Sequence, residues 1–124
     1  MICAAEDVGN ADPQALVLAT SASLAVERIG MPEAQIILSQ ACTYVASAKK
    51  SNACVKAIMS ANEVIREKRN LPIPSYLRDA HYAGHEQLGR GIGYKYPHDY
   101  PGHYVEQQYL PSEIKDMIFY EREE

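Results

Sequence analysis

The chain has 124 residues, of which 47% are hydrophobic, and its 12 Lys and Arg against 16 Asp and Glu give a formal net charge of −4. A chain of this length suits one domain and can bury about 65% of its unfolded surface, so it needs neither a disulfide nor a metal to fold. The acidic balance argues against a generally basic nucleic-acid-binding protein, and no segment is apolar enough to predict a membrane span.

The N-terminal residues and the cysteines indicate the compartment. The chain begins without the basic segment of a secretory signal, and its three cysteines include no CxxC pair. Both features are typical of a reduced, cytoplasmic protein. Cys3, Cys42 and Cys54 are therefore expected to act as small apolar residues.

Composition changes along the chain. Alanine is concentrated in residues 1–70, whereas most of the Tyr, Pro and Gly and all of the His lie in residues 71–124. Alanine favours helices, and Gly and Pro favour turns. We therefore predict an all-α single domain, residues 1–124, with a helical core at about 1–70. A short helix and an irregular arm follow at about 71–124.

The first long helix has clear signals at both ends. Asp12 and Pro13 predict its start, because Asp accepts a free backbone N–H and Pro has no donor to leave unpaired. Gly30 predicts its end. Residues 1–8 resemble the tail of an earlier helix.

Two further helices are predicted. Pro32 opens the second, which has a recurring apolar face up to Ala48. Ser51 or Asn52 caps the third, which ends before Pro72. The short links predict that neighbouring helices run antiparallel, as in a helical bundle.

The first two helices carry very little charge. Between positions 12 and 48 the charged residues are Asp12, Glu27, Arg28 and Glu33, although a surface helix normally has a charged face. One interpretation is a core hairpin covered by the third helix and the Tyr-rich arm. The other is a subunit interface, for which the candidates are Leu16, Leu18, Ala22, Leu24, Ile36, Ile37, Ala41 and Tyr44.

Basic residues after the second helix give a second candidate surface. Aromatic rings beside cations can stack on unpaired bases, and residues 94–104 interleave Tyr and His with Lys95. Against this, a solvated helix face and tyrosines docked on the helices explain the same pattern. The candidate nucleic-acid contacts are Lys49, Lys50, Lys56, Arg66, Arg69, Arg90 and Lys95.

No motif predicts catalysis or a cofactor in this chain. His81 and His85 have helical i, i+4 spacing, but the HExxH pattern is absent. The glycines from Gly89 to Gly93 do not match a phosphate-binding loop. We expect no catalytic, cofactor-binding or metal-binding residue.

The glycines and prolines of residues 89–104 predict an ordered but irregular arm. Gly89, Gly91 and Gly93 are incompatible with a helix, and Pro97 and Pro101 favour extended backbone before them. Because exposed rings are costly, we expect the arm's tyrosines to pack on the helical core or on a neighbouring subunit. They are Tyr94, Tyr96, Tyr100 and Tyr104.

Three stretches together resemble one family. They are AAEDVGNADPQAL at 4–16, ERIGMPEA at 27–34, and LRDAHY at 77–82 with GYKYPHDYPG at 93–102. These resemble the C-terminal domain of the RarA/MgsA family, replication-associated recombination ATPases of the AAA+ class. That family is related to clamp-loader subunits and to Werner-helicase-interacting proteins.

The resemblance implies a fragment of a longer AAA+ protein. It implies a helical fold similar to the clamp-loader collar and a role in forming homotetramers. The parent would be a DNA-dependent ATPase at stalled replication forks, with ATP and Mg in a separate AAA+ module. Its partners would be DNA and single-stranded-DNA-binding protein. An alternative role for the chain is DNA binding through residues 49–69 and the arm at 94–104.

Overall fold

The computed structural model describes residues 1–79, 83–84 and 88–122. Regular structure in these ranges is entirely helical, which confirms the all-α prediction. The chain divides into two compact units, residues 1–64 with the tail from Ile118 onward, and residues 65–117. None of the described helices is long and apolar enough to cross a membrane.

Helix α1 spans Gln14–Ile29 and has the predicted ends. The Gln14 N–H donates to Asp12 Oδ1 at 3.1 Å, so the Asp12 side chain caps the first turn. At the other end the Gly30 N–H donates to the Val26 carbonyl at 3.0 Å. Gly30 has φ 76°, a left-handed conformation that favours glycine at this position.

Helix α2 spans Ala34–Ser47 and packs directly against α1. Its predicted first residue, Pro32, lies in the preceding turn, where its carbonyl accepts the Gln35 N–H at 3.1 Å. The C-terminal end is capped by a residue that the sequence pattern did not identify. Lys50 Nζ donates to the carbonyls of Val45, Ala46 and Ala48 at 3.0, 3.3 and 2.6 Å, groups that a helix end leaves unpaired.

Helix α3 spans Ala53–Glu67, and Ser51 provides the predicted cap by accepting the Ala53 N–H at 3.2 Å. The residues before α1 form a π-helical turn at Ala4–Val8 and a 3-10 turn at Gly9–Ala11, as expected for a short helical segment. Gly9 approaches the α2–α3 link closely, since a Cβ added there would lie 2.8 Å from the Ser51 carbonyl oxygen.

The core of the first unit consists of small side chains. Ala4, Val8 and Ala15 form its centre, with Ala19, Val45 and Ala48 packed around them. No Leu or Ile of α1 or α2, all of them described residues, is fully buried. Val8 is the one side chain larger than Ala that is 0% exposed among the described residues.

The second unit is held together by short turns and side-chain hydrogen bonds. It contains 3-10 turns at Ser75–Leu77, Pro97–Asp99, Pro101–His103 and Ser112–Ile114. The Lys95 N–H donates to Gln107 Oε1 at 2.8 Å, and Lys68 Nζ donates to the Glu113 carbonyl at 3.2 Å. The Tyr76 hydroxyl donates to the Gln108 carbonyl.

The arm at 89–104 has the predicted irregular backbone. Gly89, Gly91 and Gly93 all have positive φ, at 63°, 74° and 85°, which excludes a helix there. The residues before both prolines are extended. The expected burial of the arm's rings on the chain's own helices is wrong, because all four are exposed, Tyr104 by 76%. Packing on another subunit remains a prediction.

Candidate interaction surfaces

The predicted interface residues divide into an exposed set and a supporting set. Leu16, Leu24, Ile36 and Tyr44 are exposed, with Ile36 the most open at 75%. Leu18, Ile37 and Ala41 are half-buried. Ala22 is a correction to the candidate set, because it is only 6% exposed and packs inside the chain.

The same helices expose further apolar side chains that were outside the candidate set. They are Val17, Ile29 and Leu38 on the helices and Met31 in the link between them. A protein surface normally carries single apolar residues, but this many on one helical pair exceeds that background. Periodicity did not single them out, because it cannot separate a covered helix face from an exposed one.

An apolar groove runs between the N-terminal turn, α1 and α2. Its volume is about 710 Å³, and among the described residues that line it Glu27 is the one with a charged side chain. The pKa of the Cys3 thiol, which lines this groove, is raised mainly by a hydrogen bond with Asp7. The thiol therefore stays protonated and is a poor nucleophile. The lining residues are Met1, Cys3, Ala4, Ala19, Ala22, Ser23, Val26, Glu27, Leu38, Ala41, Cys42, Val45 and Ala46.

A second cleft in the first unit is cationic. It has a volume of about 790 Å³, and the described residues that line it include three cations and no Asp or Glu. The chain tail forms one side, where the Tyr120 hydroxyl accepts a hydrogen bond from Asn10 Nδ2 at 3.2 Å. The lining residues are Asn10, Ala11, Lys49, Lys50, Ser51, Tyr120 and Arg122.

Tyr120 and Arg122 were missed as candidate binding residues. They lie about 70 positions after Lys49 and Lys50, and only the return of the tail to the first unit places them beside that pair. No local spacing pattern encodes such a return. Composition alone assigned the tail no role.

The remaining basic candidates are not among the residues that line this cleft. Lys56 lies on α3 in the first unit, and the others belong to residues 65–117. Arg66 and Arg69 are exposed, Arg90 is half-buried, and Lys95 Nζ donates to the Glu106 carbonyl at 3.4 Å. The seven candidate nucleic-acid contacts are therefore divided between the two units.

The described residues contain no group of three His, Cys, Asp or Glu side chains able to hold a metal ion. His81 and His85 lie outside the described residues. His98 contacts the rings of Tyr96 and His103, with ring centroids 5.0 Å apart in both pairs.

Comparison with known proteins identifies the family. The family described as MgsA AAA+ ATPase C terminal matches residues 1–124. An uncharacterized AAA domain-containing protein of Mycobacterium tuberculosis is 46% identical over 120 residues, which are 97% of this chain and 26% of that protein. Replication-associated recombination protein A of Bacillus subtilis is 44% identical over 120 residues, 97% of this chain and 28% of that protein.

The similarity extends to a eukaryote. ATPase WRNIP1 of Dictyostelium discoideum is 38% identical over 119 residues, which are 95% of this chain and 14% of that protein. The chain thus spans about a quarter of the length of these two bacterial relatives and 14% of the length of the Dictyostelium protein. The chain belongs to the RarA/MgsA family of AAA+ ATPases, whose C-terminal domain it matches over its whole length.

Proposed function

We propose that this domain assembles its parent AAA+ ATPase into a homo-oligomer, with the exposed apolar face of α1 and α2 at the subunit contact. The observation that carries the proposal is the contrast between a buried core of Ala and Val and the exposed Leu and Ile side chains of α1 and α2. Burying one such side chain stabilises an interface by about 1.5–3 kcal/mol relative to leaving it in water. A contact of several residues therefore offsets much of the entropy lost on association.

The small residues of the groove support the same proposal. Ala19, Ala41 and Ala46 line it, and side chains of this size let another helix approach closely. The low charge of α1 and α2 also favours a contact, because charged residues are depleted at the centres of interfaces. In this proposal the groove and the exposed face belong to one continuous contact.

The arrangement we propose is a single-domain antiparallel bundle similar to the clamp-loader collar. The link between α1 and α2 is short, residues 30–33, and the two helices pack against each other. Short links favour antiparallel neighbours. Four copies would form the assembly, as the family resemblance implies.

For the parent we propose a DNA-dependent ATPase that acts at stalled forks, with ATP and Mg bound in a separate AAA+ module. The names of the relatives support this, since they refer to an AAA domain, replication-associated recombination and an ATPase. DNA and single-stranded-DNA-binding protein would be its partners in the cytoplasm.

Light scattering coupled to size exclusion tests the oligomer directly. The chain at micromolar concentration should give a mass of about 55 kDa, four times its 13.8 kDa. Ile36→Asp should lower this mass, because a desolvated carboxylate is costly in an apolar contact. The variant should still fold, since Ile36 is exposed and lies in the first turn of α2, where a negative charge is favourable.

Ile65→Asp is the matched control. Ile65 is an exposed isoleucine on α3 and is not part of the proposed contact of α1 and α2, so the same chemical change should leave the mass unchanged. A mass of 13.8 kDa for the unsubstituted chain at every concentration would refute the proposal. An equal loss of mass in both variants would place the contact elsewhere.

A further inference from the structure

We propose that the cationic cleft in the first unit binds single-stranded nucleic acid, with Lys49 and Arg122 on phosphates and Tyr120 stacked on a base. This role does not depend on oligomerisation. It uses residues outside the proposed subunit contact, and two of its three main groups come from the chain tail.

Both sides of the cleft are attached to the same short segment. On one side the Ser51 N–H donates to the Asp7 carbonyl at 2.8 Å, which fixes the α2–α3 link that carries Lys49. On the other side Asn10 Nδ2 donates to the Tyr120 hydroxyl at 3.2 Å. Residues 7–10 therefore hold the link and the tail in place, so the cleft is largely formed before any ligand arrives.

The charges in the cleft are available to a ligand. Lys49 and Arg122 make no hydrogen bond or ion pair with any described residue. Lys50 differs because its ammonium already donates to carbonyls at the end of α2. It therefore gives the cleft positive charge rather than N–H donors for a ligand. A free guanidinium binds phosphate through two parallel hydrogen bonds, which makes Arg122 the stronger anchor.

Tyr120 explains why an unpaired base is the preferred ligand. Its side chain lines the cationic cleft and also an adjoining apolar cleft formed with Cys54, Ala57, Ile58, Ala61 and Phe119. The ring is 41% exposed, which leaves area for stacking. A base inside a duplex is already stacked and cannot reach this ring, whereas a single strand offers phosphate and base together.

The binding should be weak and strongly salt-dependent. A cleft of about 790 Å³ has the size of a small-ligand site and holds only one or two nucleotides. Each phosphate contact in a single strand adds about −0.7 to the slope of log affinity against log salt. Two contacts predict roughly a sevenfold loss of affinity between 50 and 200 mM salt.

Fluorescence anisotropy with the complete chain and a labelled 15-residue oligothymidylate tests this. The abasic 15-mer of equal charge is the comparison, and it should bind at least about fivefold more weakly because it cannot stack. Equal affinity for the two oligomers would overturn the role of Tyr120. An acidic peptide of the same charge that displaces the oligothymidylate equally well would show that the cleft recognises anionic protein instead.

Variants separate this cleft from general electrostatics. Arg122→Gln should lower affinity several-fold and reduce the magnitude of the salt slope by about 0.7, the contribution of one phosphate contact. Tyr120→Leu should lower affinity for oligothymidylate at least about fivefold, whereas Tyr120→Phe should retain most of it. Circular dichroism at each step checks that the helical content is unchanged.

Arg28→Gln is the matched control. Arg28 is exposed in the last turn of α1 and does not line the cleft, so its loss changes net charge without removing a contact. The proposal predicts that this variant binds like the unsubstituted chain. It is overturned if Arg28→Gln and Arg122→Gln weaken binding equally, or if neither Arg122→Gln nor Lys49→Gln weakens it.

Discussion

Replacing Val8 by Ala tests the idea that the first unit depends on a very small core. Val8 is 0% exposed and lies with Ala4 and Ala15 at the centre of that core. The change removes two methyl groups, worth about 1.6 kcal/mol at about 0.8 kcal/mol each. The cavity that remains adds up to about 1 kcal/mol if the surrounding backbone does not collapse into it.

The expected loss in the free energy of unfolding is therefore about 2–3 kcal/mol. For a chain of this size that lowers Tm by roughly 6–15 °C, which thermal melts followed by circular dichroism measure easily. Val55→Ala is the control, because it removes the same atoms from a half-buried side chain on α3, outside the proposed subunit contact. Equal changes in Tm for the two variants would refute the assignment of the core.

Two further predictions concern backbone and pH. Gly9→Ala should lower Tm more than Gly30→Ala, although both glycines have positive φ. A Cβ at position 9 would lie 2.8 Å from the Ser51 carbonyl oxygen, whereas a Cβ at position 30 would have no atom within 4 Å. The Tyr44 hydroxyl donates to Asp12 Oδ2 at 2.9 Å, and this bond is the main cause that raises the pKa of Tyr44. The pKa of Tyr44 is therefore higher in the folded chain than the ordinary tyrosine value of about 10 in the unfolded chain. This difference stabilises the folded state at any pH below about 10, and the stabilisation is lost as the pH rises through the folded-state pKa. In urea denaturation the free energy of unfolding of Tyr44→Phe should therefore be lower than that of the unsubstituted chain at pH 8. The difference between the two should narrow above pH 10. A difference that does not depend on pH would contradict this prediction.

Helix boundaries were predictable because their signals are local. Asp12, Gly30 and Ser51 each act on a backbone group within four residues, and the structure places all three as expected. The irregular arm was predictable for the same reason, since glycine and proline restrict their own backbone. Local rules of this kind reach about one helical turn.

The features that escaped prediction all involve distant or competing partners. Lys50 was interpreted as a nucleic-acid contact, but the unpaired carbonyls at the end of α2 compete for its ammonium. Arg122 joins Lys49 only because the tail returns to the first unit. Similarly, the list of interface candidates combined Ala22 with Leu24 and Ile36, although Ala22 is buried and the other two are exposed.

The distribution of large and small apolar residues has a consequence for stability itself. The first unit buries alanines and valines, each of which contributes little apolar area. Its larger apolar side chains on α1 and α2 are exposed or half-buried. If those larger residues are buried between subunits, most of the apolar stabilisation arises only on assembly. Folding is then coupled to association, and Tm must rise with chain concentration. Melts between about 1 and 100 μM should show this rise for the unsubstituted chain and lose it in Ile36→Asp. A Tm independent of concentration would mean that the small core suffices alone, and the exposed face would need another explanation.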